Sequence, residues 1–187
     1  MINSSHQSAM SRYSFGAIVL HWLIAALIAV NYGTAWSAED LPKEAAAQLM
    51  GNHKAIGITV LLLTVLRIVW RLVNRPPAFL ASLQPWEVLL ARVTHSLFYV
   101  LMIAVPLAGW LMHSAYLGGA PVNAFGLFDY PGLPIGKDKS VVDVAHEVHE
   151  ISATLMLGLI GIHVLGALKH QWIDRDGSLG RMLPWGR

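Results

Sequence analysis

The chain has 187 residues, 55% of them hydrophobic, with a mean hydropathy of +0.52 and only 13% charged residues. Soluble domains carry about 25% charge, so the composition excludes an ordinary soluble fold and points to an integral membrane protein. Having no cysteine excludes disulfides, thiolate metal sites, iron–sulfur clusters and thioether-linked haem, and a net charge of +2 with no basic patch excludes a nucleic-acid role.

Four apolar stretches follow one another along the chain, at about 14–36, 51–73, 88–113 and 143–170. Each reaches the roughly 20 residues that a helix needs to cross about 30 Å of hydrocarbon. The first ends in AWS, like a cleavage site, but its apolar part is too long for a signal segment, so it is expected to stay as a span. His21 lies about two turns into it, and Gly16, Ala17 and Ala25 lie a turn or so away. The second span opens with His53 and carries Gly57 one turn later. Arg67 follows His53 by 14 residues, on the same face but near the opposite surface. An inward-facing arginine at that depth needs an anion.

The connection 74–87 holds three prolines and reads as a tight turn at the membrane face. The third span carries His95 and His113, 18 residues or five turns apart, so it too could offer ligands at both depths. His113 stands at the span end, the usual place of an interface residue, and Pro106 predicts a bend. The segment 114–142 is rich in glycine and proline and forms the largest loop, on the outer side.

The fourth span contains HEVHEISATLMLGLIGIHVLGALKH, with Gly158, Gly161 and Gly166 around His163. His149 and His163 are 14 residues apart. At ~1.5 Å per residue they are about 21 Å apart along the helix and within about 40° of one face. One mononuclear metal cannot use both, whereas two separate cofactors can. Matching depth pairs His163 with His21 and His149 with His53. Such pairs fill both axial positions of a haem iron in electron-transfer cytochromes, leaving no vacant position for dioxygen. Arg67 would then meet a haem propionate, and His95 is a neighbour able to donate to a propionate or a quinone carbonyl. His146 rivals His149, but HExHE lacks the HExxH spacing of a zinc protease helix. His146 is therefore expected at the outer mouth, and His6 in a mobile tail. Of the seven tryptophans, six lie near span ends as an aromatic belt, while Trp22 stands beside His21.

Nine basic residues (Arg12, Arg67, Arg71, Arg75, Arg92, Lys169, Arg175, Arg181, Arg187) fall toward one side and Lys43, Lys54, Lys137 and Lys139 toward the other. The bias places both termini in the cytoplasm. The expected fold is an all-α membrane protein, one up-down four-helix transmembrane bundle over 1–187 enclosing two b haems. Buried histidines also suit a proton-relaying transporter, but no discontinuous or repeated helix pair supports one.

The stretches FGAIVLHW, NHKAIGITVLLLTVLRIVWRL, ARVTHSLFYVLMIAVPLAGWLM and HEISATLMLGLIGIHVLGALKHQWIDRDGSLGRMLP resemble the bacterial cytochrome b561 family, in order and over nearly the whole chain. The resemblance implies a bacterial inner-membrane cytochrome with two b haems exchanging electrons with the quinone pool. Its ligands fall on His21, His53, His149 and His163, and its next histidine on His170, at the cytoplasmic face beside a quinone. One branch of the family oxidises superoxide on the periplasmic side and reduces ubiquinone, an oxidoreductase reaction. Lys54, Lys137 and Lys139 would steer that anion, but Asp129, Asp138, Asp143, Glu147 and Glu150 nearby leave no strong basic funnel. The other function such a chain supports is a cytochrome b subunit of a larger dehydrogenase or hydrogenase, with the catalytic centre on another polypeptide.

Overall fold

The computed structural model describes residues 12–184, so the expectations on His6, Trp185 and Arg187 lie outside the described residues. Four long helices dominate: α1 (Phe15–Glu39), α2 (Lys43–Val73), α3 (Pro85–Leu117) and α4 (Lys139–Lys169). All four are long and apolar enough to cross a membrane. They overrun the expected spans at the outer end, reaching Glu39, Lys43, Leu117 and Lys139. The reason is local. Segments such as KEAAAQ hold strong helix formers, so the helix continues past the apolar stretch into the headgroup layer.

The helix ends are marked by their caps. Pro85 takes the first position of α3, where its missing N–H costs nothing, and Gln84 and Glu87 form a reciprocal capping box. Gly118 closes α3 in the left-handed region (φ 67°), with the Gly119 N–H bonding to the Ser114 carbonyl at 2.8 Å. Asp138 starts α4, its carboxylate accepting from the N–H groups of Ser140 (2.9 Å) and Val141 (3.2 Å). At its far end α4 loosens into a π-helical turn, His170–Asp174, stopped by Arg175 at φ 53°.

Three residues join α1 to α2, so these helices are antiparallel neighbours. The closest backbone approaches are α1 on α2 and α3 on α4, with α2 also against α3. Ile24, Ile56, Val60, Met102, Val105 and Met156 make the central core, with at least one residue from every helix. Val60 is midway between His53 and Arg67, and Met156 midway between His149 and His163. The best-packed apolar layer therefore separates an inner from an outer histidine layer. Many large apolar side chains outside this core, among them Val19, Leu62, Val69 and Leu155, are exposed, as lipid-facing surfaces require.

The outer loop is more ordered than its glycine and proline content predicts. Val122–Ala124 and Phe128–Tyr130 form an antiparallel hairpin, β1 and β2, whose turn takes Phe125 and Gly126 at positive φ (58° and 78°). Asn123 fixes it by donating to the Asp129 carboxylate (2.8 Å) and accepting the Gly126 N–H (2.7 Å). The hairpin lies on the outer part of α2, where Val122 packs with Ala55 and Ile58, and the Tyr130 and Thr59 hydroxyls meet at 3.0 Å. Three α3 side chains hold the loop down. Trp110 donates to the Pro131 carbonyl (3.1 Å), Ser114 accepts from the Leu133 N–H (3.0 Å), and a His113 ring nitrogen is 3.3 Å from the Pro121 carbonyl. His113 is therefore a buried strut under the loop, not the interface residue expected from its place at a span end.

Candidate functional site

The outer histidine layer is built from all four helices. His53 of α2 and His149 of α4 face each other with ring centres 6.0 Å apart. Each ring spends its Nδ1 on a backbone carbonyl: His53 on Asn31 of α1 at 3.2 Å, and His149 on Val105 of α3 at 2.8 Å. A carbonyl only accepts, so both Nδ1 atoms carry their protons and both Nε2 atoms keep a free lone pair. Gly109 makes the second bond possible: a Cβ there would stand 3.2 Å from both Nδ1 and Cε1 of His149. His146 is one turn away and exposed, its Nε2 3.6 Å from a Glu150 carboxylate oxygen. The structure thus brings His149, and not His146, to His53.

In the inner layer His21 of α1 and His163 of α4 have ring centres 6.3 Å apart. On its α3 side His163 meets His95 (5.7 Å) and Phe98 (5.3 Å), both edge to face. Three imidazoles therefore share this layer. α3 and α4 are in close backbone contact along their length, whereas α1 and α4 are not. α1 and α4 touch through long side chains, His21 and His163 in this layer and, nearer the outer layer, the Tyr32 hydroxyl on the Ala153 carbonyl at 2.6 Å. His163 therefore has an imidazole on either side, His21 at 6.3 Å and His95 at 5.7 Å between ring centres.

Arg67 points inward as its position predicts, with Nη1 3.2 Å from His21 Nδ1. Together with Arg71 it lies over the Tyr99 ring, each guanidinium carbon 5.8 Å from the ring centre. Trp22 packs edge-on against His21 and donates to the Met182 carbonyl at 2.7 Å, tying the C-terminal segment to α1. Gly16 faces the Trp70 ring, where any side chain would clash, so its smallness serves α1–α2 packing. Side chains at Gly158, Gly161 or Gly166 would meet nothing within 4 Å, so those glycines are not helix-contact residues.

His170 stands at the inner end, in the π-helical turn. Its Nδ1 is 3.0 Å from an Asp174 oxygen and 2.9 Å from an Asp176 oxygen. Glu87, His170 and Asp174 together resemble a metal-ligand cluster. Yet the Lys169 ammonium already bonds both carboxylates, Glu87 at 2.7 Å and Asp174 at 2.6 Å, which occupies the position a cation would take.

The two pairs can be tested against a bis-imidazole haem. An iron midway would lie about 3 Å from each ring centre, which is a metal–imidazole bond of roughly 2 Å plus the radius of the ring. Both separations satisfy this, and the ring planes, 78° and 74° apart, can both contain the axis through the metal. His53 and His149 already present Nε2. His21 differs, because a guanidinium donates only, so its Nδ1 is the acceptor; loading with haem requires Arg67 to turn from it toward an anion. The residues fit the group. Sequence reasoning missed Asn31, Val105, Gly109 and Phe98, which orient the ligands. Asn31 and Val105 act through backbone carbonyls, which no side chain signals, although Asn31 was visible as an amide inside an apolar span.

Residues 12–185 match the family model described as prokaryotic cytochrome b561. Cytochrome b561 homolog 2 of Escherichia coli (strain K12) is 31% identical, over 96% of this chain and 95% of its own length. The probable superoxide oxidase CybB of Yersinia pestis is also 31% identical, over 92% and 96% respectively. Cytochrome b561 homolog 1 of the same Escherichia coli strain is 26% identical over 94% and 98%. With its four membrane-capable helices, the chain belongs to the prokaryotic cytochrome b561 family, and is a multi-pass bacterial membrane cytochrome b of electron transfer.

Proposed function

We propose that the protein carries two b haems, held by His21 with His163 and by His53 with His149, and passes single electrons across the inner membrane between a periplasmic donor and ubiquinone. The observation that carries this reading is the pair of cross-helix imidazole contacts, 6.3 and 6.0 Å between ring centres, on opposite sides of one apolar core. A bound b haem supplies a one-electron ferric–ferrous couple. The protein's own groups do the rest. The Asn31 and Val105 carbonyls fix the planes of the outer ligands, and His95 and Phe98 brace His163. Arg67 is the residue that would hold a haem carboxylate.

At the inner end His170 Nδ1 lies beside the Asp174 and Asp176 carboxylates, and Nε2 is the nitrogen left to donate to a quinone carbonyl. An imidazole N–H within hydrogen-bond reach of a quinone oxygen acts as a general acid toward the reduced quinone. Superoxide as the donor is supported by the name of the Yersinia pestis relative and by Lys54 and Lys137 at the outer mouth, against the acidic residues there. Both termini then face the cytoplasm, in accord with the arginine-rich inner end.

Stopped-flow mixing tests the reading. Superoxide should reduce the b-type absorbance of the purified protein, and added ubiquinone should reoxidise it. His170→Ala should slow the quinone phase at least about tenfold, as loss of a general acid does, and leave reduction by superoxide unchanged. If the preparation has no b-type Soret and α bands, the haem assignment is wrong. Reduction by quinol but not by superoxide removes the superoxide arm alone.

A further inference from the structure

We propose that the bundle is electrically poled, so that the inner haem site (His21 and His163) has a higher reduction potential than the outer one (His53 and His149), and electrons run downhill toward the arginine-rich end. This rests on the two-haem reading above and adds a direction to it. Three observations carry it, and each acts on the energy of an added electron.

The first is Arg67. It lies in the inner layer, in contact with His21, and with Arg71 on the Tyr99 ring. An iron-bound neutral imidazole must keep its proton on Nδ1, so on loading the guanidinium turns to a haem carboxylate. Its charge stays in the same low-dielectric layer in either arrangement. There it stabilises the reduced centre more than it would in water. Half-buried Lys54, next to His53, works the other way at the outer site. It is one flexible ammonium against two guanidinia held on a ring.

The second observation is the difference in ligand partners. Both outer histidines donate Nδ1–H to backbone carbonyls. That bond raises ligand basicity and favours the ferric state. Among the described residues neither His21 nor His163 makes such a carbonyl bond, and His163 meets the rings of His95 and Phe98. The outer ligands are thus the stronger electron donors to a bound iron.

The third is the charge at the two ends. At the outer end four lysines stand against eight carboxylates. Among the described residues at the inner end, eight basic groups stand against three carboxylates, Glu87, Asp174 and Asp176. Salt screens these surface charges within about 10 Å, so they add to the effect of Arg67 without replacing it.

Spectroelectrochemical titration of the purified full-length protein is the test, with His53→Ala leaving the inner site and His21→Ala leaving the outer one. The inner-only variant should titrate at the higher potential. In the full chain Arg67→Gln should move the higher-potential step downward and leave the lower one in place, whereas Arg67→Lys, which keeps the charge, should move it less. Should a histidine variant fail to fold, the Arg67→Gln and Arg67→Lys pair decides alone. Paramagnetic resonance of the ferric haems during the titration assigns each step. An inner-only potential below the outer-only one overturns the proposal, and so does an Arg67→Gln shift confined to the lower step or absent from both. Two haems in the wrong order defeat only the poling. One haem per chain, or none, defeats the two-site reading and the poling with it.

Discussion

His149 shows how little freedom a ligand in this bundle has. Its Nδ1 is held 2.8 Å from the Val105 carbonyl, with the ring lying against Gly109. Gly109→Ala should raise intrinsic helix stability by roughly 1 kcal/mol, yet the new methyl group would sit 3.2 Å from the ring. The ring can yield only by turning off the carbonyl, which misdirects Nε2. The variant should fold and insert normally but lose the outer haem, halving the haem-to-protein ratio while the inner spectrum persists. A pyridine haemochrome assay beside protein quantification checks this, and full haem content would show that Gly109 does not gate the ligand. At this scale the axial candidates were legible from depth and spacing alone, because a histidine inside an apolar run stands out. The carbonyls that orient them were not, because any residue carries one.

At the scale of the element, α4 is the organising part, since it supplies one candidate ligand to each layer and starts from a defined cap. The Ser140 hydroxyl at 2.7 Å, followed by the Val141 N–H, holds the Asp138 carboxyl below its usual range. A carboxyl depressed in the folded state stabilises above its unfolded value of 3.8, and that contribution is lost as pH falls through the lowered folded value. The first turn of α4 should therefore stay protected at neutral pH and fray only under strong acid. Amide exchange at Ser140 and Val141 should quicken there, and in Asp138→Ala at every pH. Exchange in that variant unchanged from the parent at neutral pH would rule out the cap. The helices themselves were readable from the apolar stretches. Their outer overhangs and the β1–β2 hairpin were not, since the first rests on propensity beyond the membrane and the second on a turn with Phe125 in a left-handed conformation.

Across the whole molecule, the chain's lack of cysteine makes its topology open to direct measurement. A single cysteine at Asn123→Cys, in the hairpin, should react with a membrane-impermeant maleimide in intact cells. One at Ser82→Cys, in the 74–87 connection, should react only after lysis. The opposite pattern would invert the bundle and put the arginine-rich end outside. Composition, span length, the spacing of His149 and His163, and the asymmetry of basic residues were all determined by the sequence itself, because hydropathy and helical periodicity are local properties. Depth already paired the imidazoles; what surrounds each pair was decided only by the tertiary structure. His21 and His95 lie at similar depth, and only the packed bundle shows that His163 stands between them, 6.3 and 5.7 Å from their ring centres. The same holds for Arg67: its depth could be read from its number, but its place between His21 and Tyr99 exists only once α1, α2 and α3 have packed.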